Sequence, residues 1–265
     1  MPIKSEQPNT CCIQHPDSSI QIPVQQGATD EGDDGDSSQD VSEVIARANA
    51  GTTTRLIYDD IAPNMKRNAV PCTAIGCKWR KSGYYVTVPY TISSEYSTNE
   101  RNFIISTLKS FHRSTCVRFQ MRNSWHRDYI HFFSGSGCWS YLGRQGGQQD
   151  VSLRRNGCLY TSTVQHEVLH ALGFHHEQVR SDRDRYVNIL TQNIQSGKES
   201  NFRKLGTNNL GTPYDFNSVM HYSKYAFSKN DQPTIVAKSN PNLNFGHART
   251  LSANDIARVN RLYNC

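Results

Sequence analysis

The sequence predicts an α+β fold organised around one helix, and three observations carry that prediction. The stretch His166-Glu167-Val168-Leu169-His170-Ala171-Leu172-Gly173 sets apolar residues at helical spacing and ends on a glycine. The run Tyr84-Tyr85-Val86-Thr87-Val88 is β-branched and aromatic and reads as a strand that stops at Pro89. Ser97 and Glu100 make a capping box ahead of Phe103, Ile104, Leu108 and Phe111, so a helix that packs on the sheet follows the strand.

The remaining elements are read in chain order. Residues 1 to 54 read as weakly ordered, because Asp30-Glu31-Gly32-Asp33-Asp34-Gly35-Asp36 has no apolar side chain to bury and repels itself. Within them, Asp40 to Ala50 offers Val41, Val44 and Ile45 for a short helix. Arg55 to Ile61 reads as an extended segment lying in a groove, and Lys66-Arg67 is a dibasic processing step. Cys116 to Met121 and Tyr129 to Phe133 are further strands, and a glycine-rich turn from Gly143 leads into a short strand at Gln149 to Leu153. Ser162 and Gln165 are expected to cap the histidine helix, with Val168, Leu169 and Leu172 facing the core. The alternating charges from Glu177 to Tyr186 predict a solvated face, and Ser252 caps a last helix carrying Ile256, Val259, Leu262 and Tyr263.

Composition narrows the class. At 265 residues the chain can bury a substantial core, and no window approaches the length of a membrane span. Residues 1–67 carry 5 Lys+Arg against 11 Asp+Glu, leaving 24 against 12 for the rest, so an acidic leader precedes a basic body. With no basic run and no recognition motif, nucleic-acid binding is not expected. Six of the eight cysteines, Cys72, Cys77, Cys116, Cys138, Cys158 and Cys265, form an even set without zinc-knuckle spacing, which predicts three disulfides and an oxidising compartment. Six cysteines allow 15 connectivities. Met1 to Ile20 lacks the apolar core of a signal peptide, which conflicts with secretion, and we expect such a peptide to be missing from this sequence.

The histidines carry the chemistry. On a helix, His166 and His170 project from one face, and a glycine turn at Gly173 can bring His176 up as a third metal ligand. Three neutral imidazoles leave tetrahedral Zn²⁺ one open position, which marks a catalytic site and not a closed structural one. Glu167, next to the first ligand, is placed to accept a proton from water. His175 falls outside this pattern and reads as a solvated or supporting histidine.

With these residues in view, residues 55 to 265 resemble the astacin family of metzincin zinc endopeptidases, within it the six-cysteine hatching-enzyme branch. The resemblance rests on His166 through Arg185, on Ser218-Val219-Met220-His221-Tyr222 as the Met-turn, and on Ser136 to Tyr141 with Gln149 to Leu153. It implies a two-subdomain metzincin fold with a mixed twisted sheet and an active-site helix, spanning 68–265 and divided into 68–176 and 177–265. It further implies Zn²⁺ on His166, His170 and His176, Glu167 as general base and then acid, and Tyr222 as a weak resting ligand that swings to bind the oxyanion. Met220 is implied as a hydrophobic floor, and Gln149 to Leu153 as the strand that pairs with extended protein substrates. The implied disulfides are Cys116 with Cys265, Cys138 with Cys158 and Cys72 with Cys77.

The same resemblance assigns residues 1–67 as a largely disordered pro-segment acting as an intramolecular inhibitor. The family's latency motif, Phe-x-Gly-Asp, departs here to Ile57-Tyr58-Asp59-Asp60, which keeps the aspartate and loses the phenylalanine and glycine. Asp60 is therefore the expected latency ligand, and Glu177 the expected anchor of a new amino terminus at Asn68. The function implied is a secreted, monomeric endopeptidase acting on egg-envelope proteins. The alternatives are a tissue or digestive endopeptidase and a catalytically inactive zincin-like binding protein.

Overall fold

The computed structural model describes residues 40–63 and 77–265, all within one compact unit, Ser38–Cys265. In chain order the elements are α1 (Val41–Asn49), β1 (Ile61–Ala62), β2 (Lys81–Ser82), β3 (Tyr85–Ile92), α2 (Thr98–Ser114), β4 (Val117–Met121), β5 (Tyr129–Phe133), β6 (Cys138–Tyr141) and β7 (Gln148–Leu153). They continue with α3 (Thr161–Leu172), β8 (Val187–Ile189), β9 (Ile235–Ala237) and α4 (Ala253–Tyr263). Strands β1 to β7 form one mixed sheet in the order β1-β6-β7-β5-β3-β2, with β4 also pairing β3. The β3–β5 and β5–β7 ladders are parallel, whereas β6–β7 is antiparallel.

Strand β3 does not stop at Pro89 but runs on to Ile92. Val86 donates to Cys116 and Tyr90 accepts from Arg122 on the β4 side, so alternation turns Pro89 to the opposite side. There β2 pairs only Tyr85 and Val86, and β5 begins at Tyr90. The missing N–H of the proline therefore breaks no ladder bond.

The sheet's buried residues pack with α2 and α3 in one core that contains Val86, Val88, Ile104, Leu108, Phe111, Ile130, Phe132, Val168, Leu169 and Leu172. Each large apolar side chain fully removed from water there contributes ~1.5–3 kcal/mol. A second core lies in the later chain around Val187, Ile194, Phe202, Tyr222, Ile235 and Phe245. The last helix returns to the first core through Val259, Leu262 and Tyr263, and Tyr263 donates to the carbonyl of Leu172 at 2.9 Å.

The leader is more ordered than its composition suggests. From Asp40 onward it carries α1, capped by the Asp40 carboxylate, and Val41, Ile45 and Ala48 are buried in the first core. Its apolar stripe is short but sufficient to dock a two-turn helix, so the weakly ordered reading fails for residues 40–54. The acidic run at 30–36 lies outside the described residues.

Helix α3 begins one residue earlier than the expected cap and has Tyr160 at its N-cap without a side-chain bond. Gln165 is used otherwise: its amide donates to Ser110 and its carbonyl accepts from Leu251, which ties α3 to α2 and to the approach of α4. The capping box at Ser97 and the cap at Ser252 form as read.

Two of the three implied disulfides are present, Cys116–Cys265 and Cys138–Cys158, with Cα separations of 5.3 and 5.7 Å. Cys72 lies outside the described residues, and with it the bridge to Cys77. No helix among the described residues is long and apolar enough to cross a membrane.

Candidate metal centre and cleft

Helix α3 presents His166 and His170 on one face, as the four-residue spacing requires. It ends at Gly173, whose backbone is left-handed at φ 108°, and the chain turns there to bring in His176. The side chains of His166, His170, His176 and Asp60 are all buried, and one ligand atom from each lies within 4.8 Å of the others. Oδ2 of Asp60 is 3.0 Å from Nε2 of both His166 and His176, and Oδ1 is 3.5 Å from Nε2 of His170.

This cluster fits a divalent cation. Nδ1 of His166 donates to the carbonyl of Val219 at 2.7 Å and Nδ1 of His170 to that of Phe174 at 2.8 Å, which leaves a lone pair on each Nε2. Burial holds His176 down to about 4, so it too is neutral at pH 7. Lone pairs and a carboxylate thus converge, and among the described residues Nε2 of His170 and Oδ1 of Asp60 have no hydrogen-bond partner. Three nitrogens and one oxygen suit Zn²⁺.

Glu167 is fully buried, and neither carboxylate oxygen has a hydrogen-bond partner among the described residues. Burial, and then the charge of Asp60, push its carboxyl well above the ordinary range. Tyr222 lies against His176, ring centroids 4.8 Å apart, and donates its hydroxyl to the carbonyl of Tyr58 at 2.7 Å. Met220 is buried in the first core. The Met-turn is fixed by α4: Asp255, the third residue of that helix, accepts from Ser218 Oγ at 2.6 Å and from the Val219 amide at 3.1 Å. Sequence reading missed Asp255, although its place in a cap with Ser252 was available.

Asp60 reaches the histidines from a tight loop. Ile57 and Ile61 exchange both backbone bonds, at 2.9 and 3.0 Å, and close a three-residue turn. Tyr58 and Asp59 sit at φ 50° and 77°, a region costing non-glycine residues about 1 kcal/mol or more each. The missing family glycine is thus felt in the backbone. Asp59 also pairs with Lys198 at 2.6 Å, and Tyr58 packs edge-on against His175 at 4.4 Å. His175 is accordingly half-buried and also accepts from the His176 amide.

The strand flanking the cleft is not the one expected. Gln148–Leu153 is interior, held by β5 on one side and β6 on the other, so its edges are not free. The open edge belongs to β6, and the leader occupies it through β1 in parallel pairing. The charged stretch after His176 is buried over residues 177–180 and presents the expected solvated face only over 181–186. Glu177 is buried and bound by both terminal nitrogens of Arg258 at 2.5 and 2.7 Å, by Arg180 at 3.3 Å and by the Asp215 amide at 2.7 Å. Opposite charges 81 residues apart supply this pairing, a relation that local patterning cannot reveal. The dibasic step at Lys66-Arg67 and the expected terminus at Asn68 lie outside the described residues.

A mixed sheet over a buried helix, with three imidazoles and a glutamate on that helix and its exit turn, defines a zinc metalloendopeptidase of the metzincin type. The sequence profile of the Astacin peptidase family matches residues 75–264, and the chain belongs to that family. High choriolytic enzyme 1 of Oryzias latipes is 45% identical over 234 residues, covering 88% of this chain and 86% of that protein. The low choriolytic enzyme of the same fish is 41% identical over 245 residues, covering 91% and 90%. The solved structure of high choriolytic enzyme 1, described as a hatching enzyme zinc-protease, superposes with a TM-score of 0.71 at 47% identity, covering 75% of this chain and 100% of that one.

Proposed function

We propose that the chain is a secreted zymogen whose processed form cleaves internal peptide bonds of egg-envelope proteins. The observation that supports this most is Asp60, held by a leader loop between the three imidazoles. In this reading His166, His170, His176 and Asp60 would hold zinc in the uncut chain, and residues 1–67 are the inhibitor. The egg-envelope assignment rests on the names of the two choriolytic relatives.

When bound, zinc supplies a Lewis acid that acidifies water and polarises a scissile carbonyl. The chain's own residues do the rest. Release of the leader takes Asp60 away from Glu167, whose carboxylate then accepts a proton from the attacking water at Oε and passes it to the departing amine nitrogen. Loss of Tyr58 frees the Tyr222 hydroxyl to donate to the developing oxyanion, a contact worth about 3 kcal/mol in such sites. The vacated edge of β6 offers backbone groups to an extended substrate, so ladder bonds give affinity and pockets give selectivity. Cleavage after Arg67 frees an amine at Asn68, and Glu177 receives it by sharing its carboxylate with Arg258.

Processed chain incubated with casein and with solubilised egg-envelope proteins tests the proposal. Both are cleaved, o-phenanthroline stops the reaction, and added zinc restores it. Casein cut while envelope proteins stay whole would reassign the enzyme to tissue or digestive work.

A further inference from the structure

The free edge of β6 is blocked at two points, and only one of them involves Asp60. Alternation along β6 points the N–H and C=O of Cys138 and Ser140 outward, away from β7. Ser140 donates to the carbonyl of Asp60 at 3.0 Å, and Ile61 and Ala62 pair with Ser140 and Tyr141. At Cys138 the partner is a side chain. The Cys138 amide donates to Oδ1 of Asn49 at 2.8 Å, and Nδ2 of Asn49 donates back to the Cys138 carbonyl at 2.8 Å. A carboxamide carries the donor and acceptor of a peptide group, so Asn49 completes the ladder as a strand residue would. The same Nδ2 also donates to the carbonyl of Asp59 at 2.9 Å, which ties this contact to the latency loop.

Gly137 makes room for it. A Cβ at that position would lie 1.8 Å from Oδ1 of Asn49, and the backbone there is left-handed at φ 86°. Helix α1 delivers the carboxamide, with Val41, Ile45 and Ala48 buried and its first turn tied to the later chain, since Val41 donates to Gly246 and Ser42 accepts from the Ser223 amide.

We infer that Gly137 and Cys138 form a receptor for a planar amide group on the cleft edge, and that Asn49 fills it as a second latch independent of the metal. The inference rests on the zymogen reading above and extends it to a residue upstream of the loop. Asn49 acts through the β6 edge, so it is a positioning residue and touches no reacting atom.

The test uses the full, uncut chain with Asn49→Ala, the isosteric Asn49→Asp, and Glu43→Gln on the exposed face of α1 as a control. Hydrogen exchange at the Cys138 amide is read alongside hydrolysis of a short quenched peptide. Both Asn49 variants speed Cys138 exchange about tenfold and raise uncut-chain hydrolysis about tenfold, the effect of one buried hydrogen-bonded pair. Glu43→Gln changes neither, and in the parent chain Cys138 protection survives removal of zinc by o-phenanthroline. Unchanged exchange in both variants, or protection that vanishes with zinc, overturns the inference. Failure of the processed parent to cleave any peptide would strike the peptidase reading instead, and the exchange data would still decide the latch.

Discussion

Oδ2 of Asp60 stands 3.0 Å from Nε2 of His176, although 116 residues separate them in sequence. The carboxylate lies among the three imidazoles, and its charge is felt at Glu167 on α3. A loop carrying two left-handed non-glycine residues holds it there, so the strain at Tyr58 and Asp59 is offset by what the loop binds: the imidazoles, Lys198 and Tyr222.

Asp60→Ala in the uncut chain should raise hydrolysis of a short quenched peptide by about tenfold or more, the loss of one charged contact. The rise should remain below the processed rate, because β6 stays covered. An uncut variant as silent as its parent would remove Asp60 from latency.

Glu167→Gln should keep one zinc per processed chain and lose turnover by roughly 10²–10⁴-fold, the range for a positioned general base. Zinc content by elemental analysis and kcat on one peptide check both halves together. Retained turnover would place the proton transfer elsewhere.

Tyr222→Phe should lower kcat by about a hundredfold while KM moves little, since in the proposed role its hydroxyl acts on charge that develops only in the transition state. A raised KM with kcat intact would make Tyr222 a binding contact.

The histidines of α3 and Glu167 were legible as neighbours because the motif that places them is local. His166, Glu167 and His170 follow from one helical turn, and Gly173 marks where the chain must bend. The fold class was legible for a similar reason, since capping boxes and strand runs act within a few residues. What escaped the sequence lies across the chain. Arg258 reaching Glu177, Asp255 bracing Val219, and Asn49 pairing with Cys138 are contacts set by tertiary packing. The strand at Gln149 to Leu153 was placed correctly and given the wrong role, because an isolated strand does not show which neighbour will cover its edge. The cap at Ser162 gave way to a helix so deeply buried that packing, not its first turn, fixes its start.

His221 gives a stability prediction. It is buried, with Nδ1 donating to the Tyr222 carbonyl at 2.6 Å and Nε2 accepting from the Tyr214 hydroxyl at 2.8 Å, and burial holds it down at about 4. The unfolded chain takes up this proton near pH 6.5 and the folded chain only near 4. The contribution is thus complete above about 6.5 and is lost as pH falls to about 4, on the order of 3 kcal/mol. Urea unfolding of Glu167→Gln between about pH 7 and 4 should show this loss, and adding His221→Gln should flatten it. Equal slopes would assign the loss to other groups.

The central claim is that one zinc ion sits where three imidazoles and a leader carboxylate meet. Anomalous diffraction at the zinc edge, on crystals of the uncut chain, tests it most directly. The account predicts a single peak bounded by Nε2 of His166, His170 and His176 and by the Asp60 carboxylate. A peak that leaves out any one of these histidines, or fully loaded protein with Asp60 turned away, would contradict it.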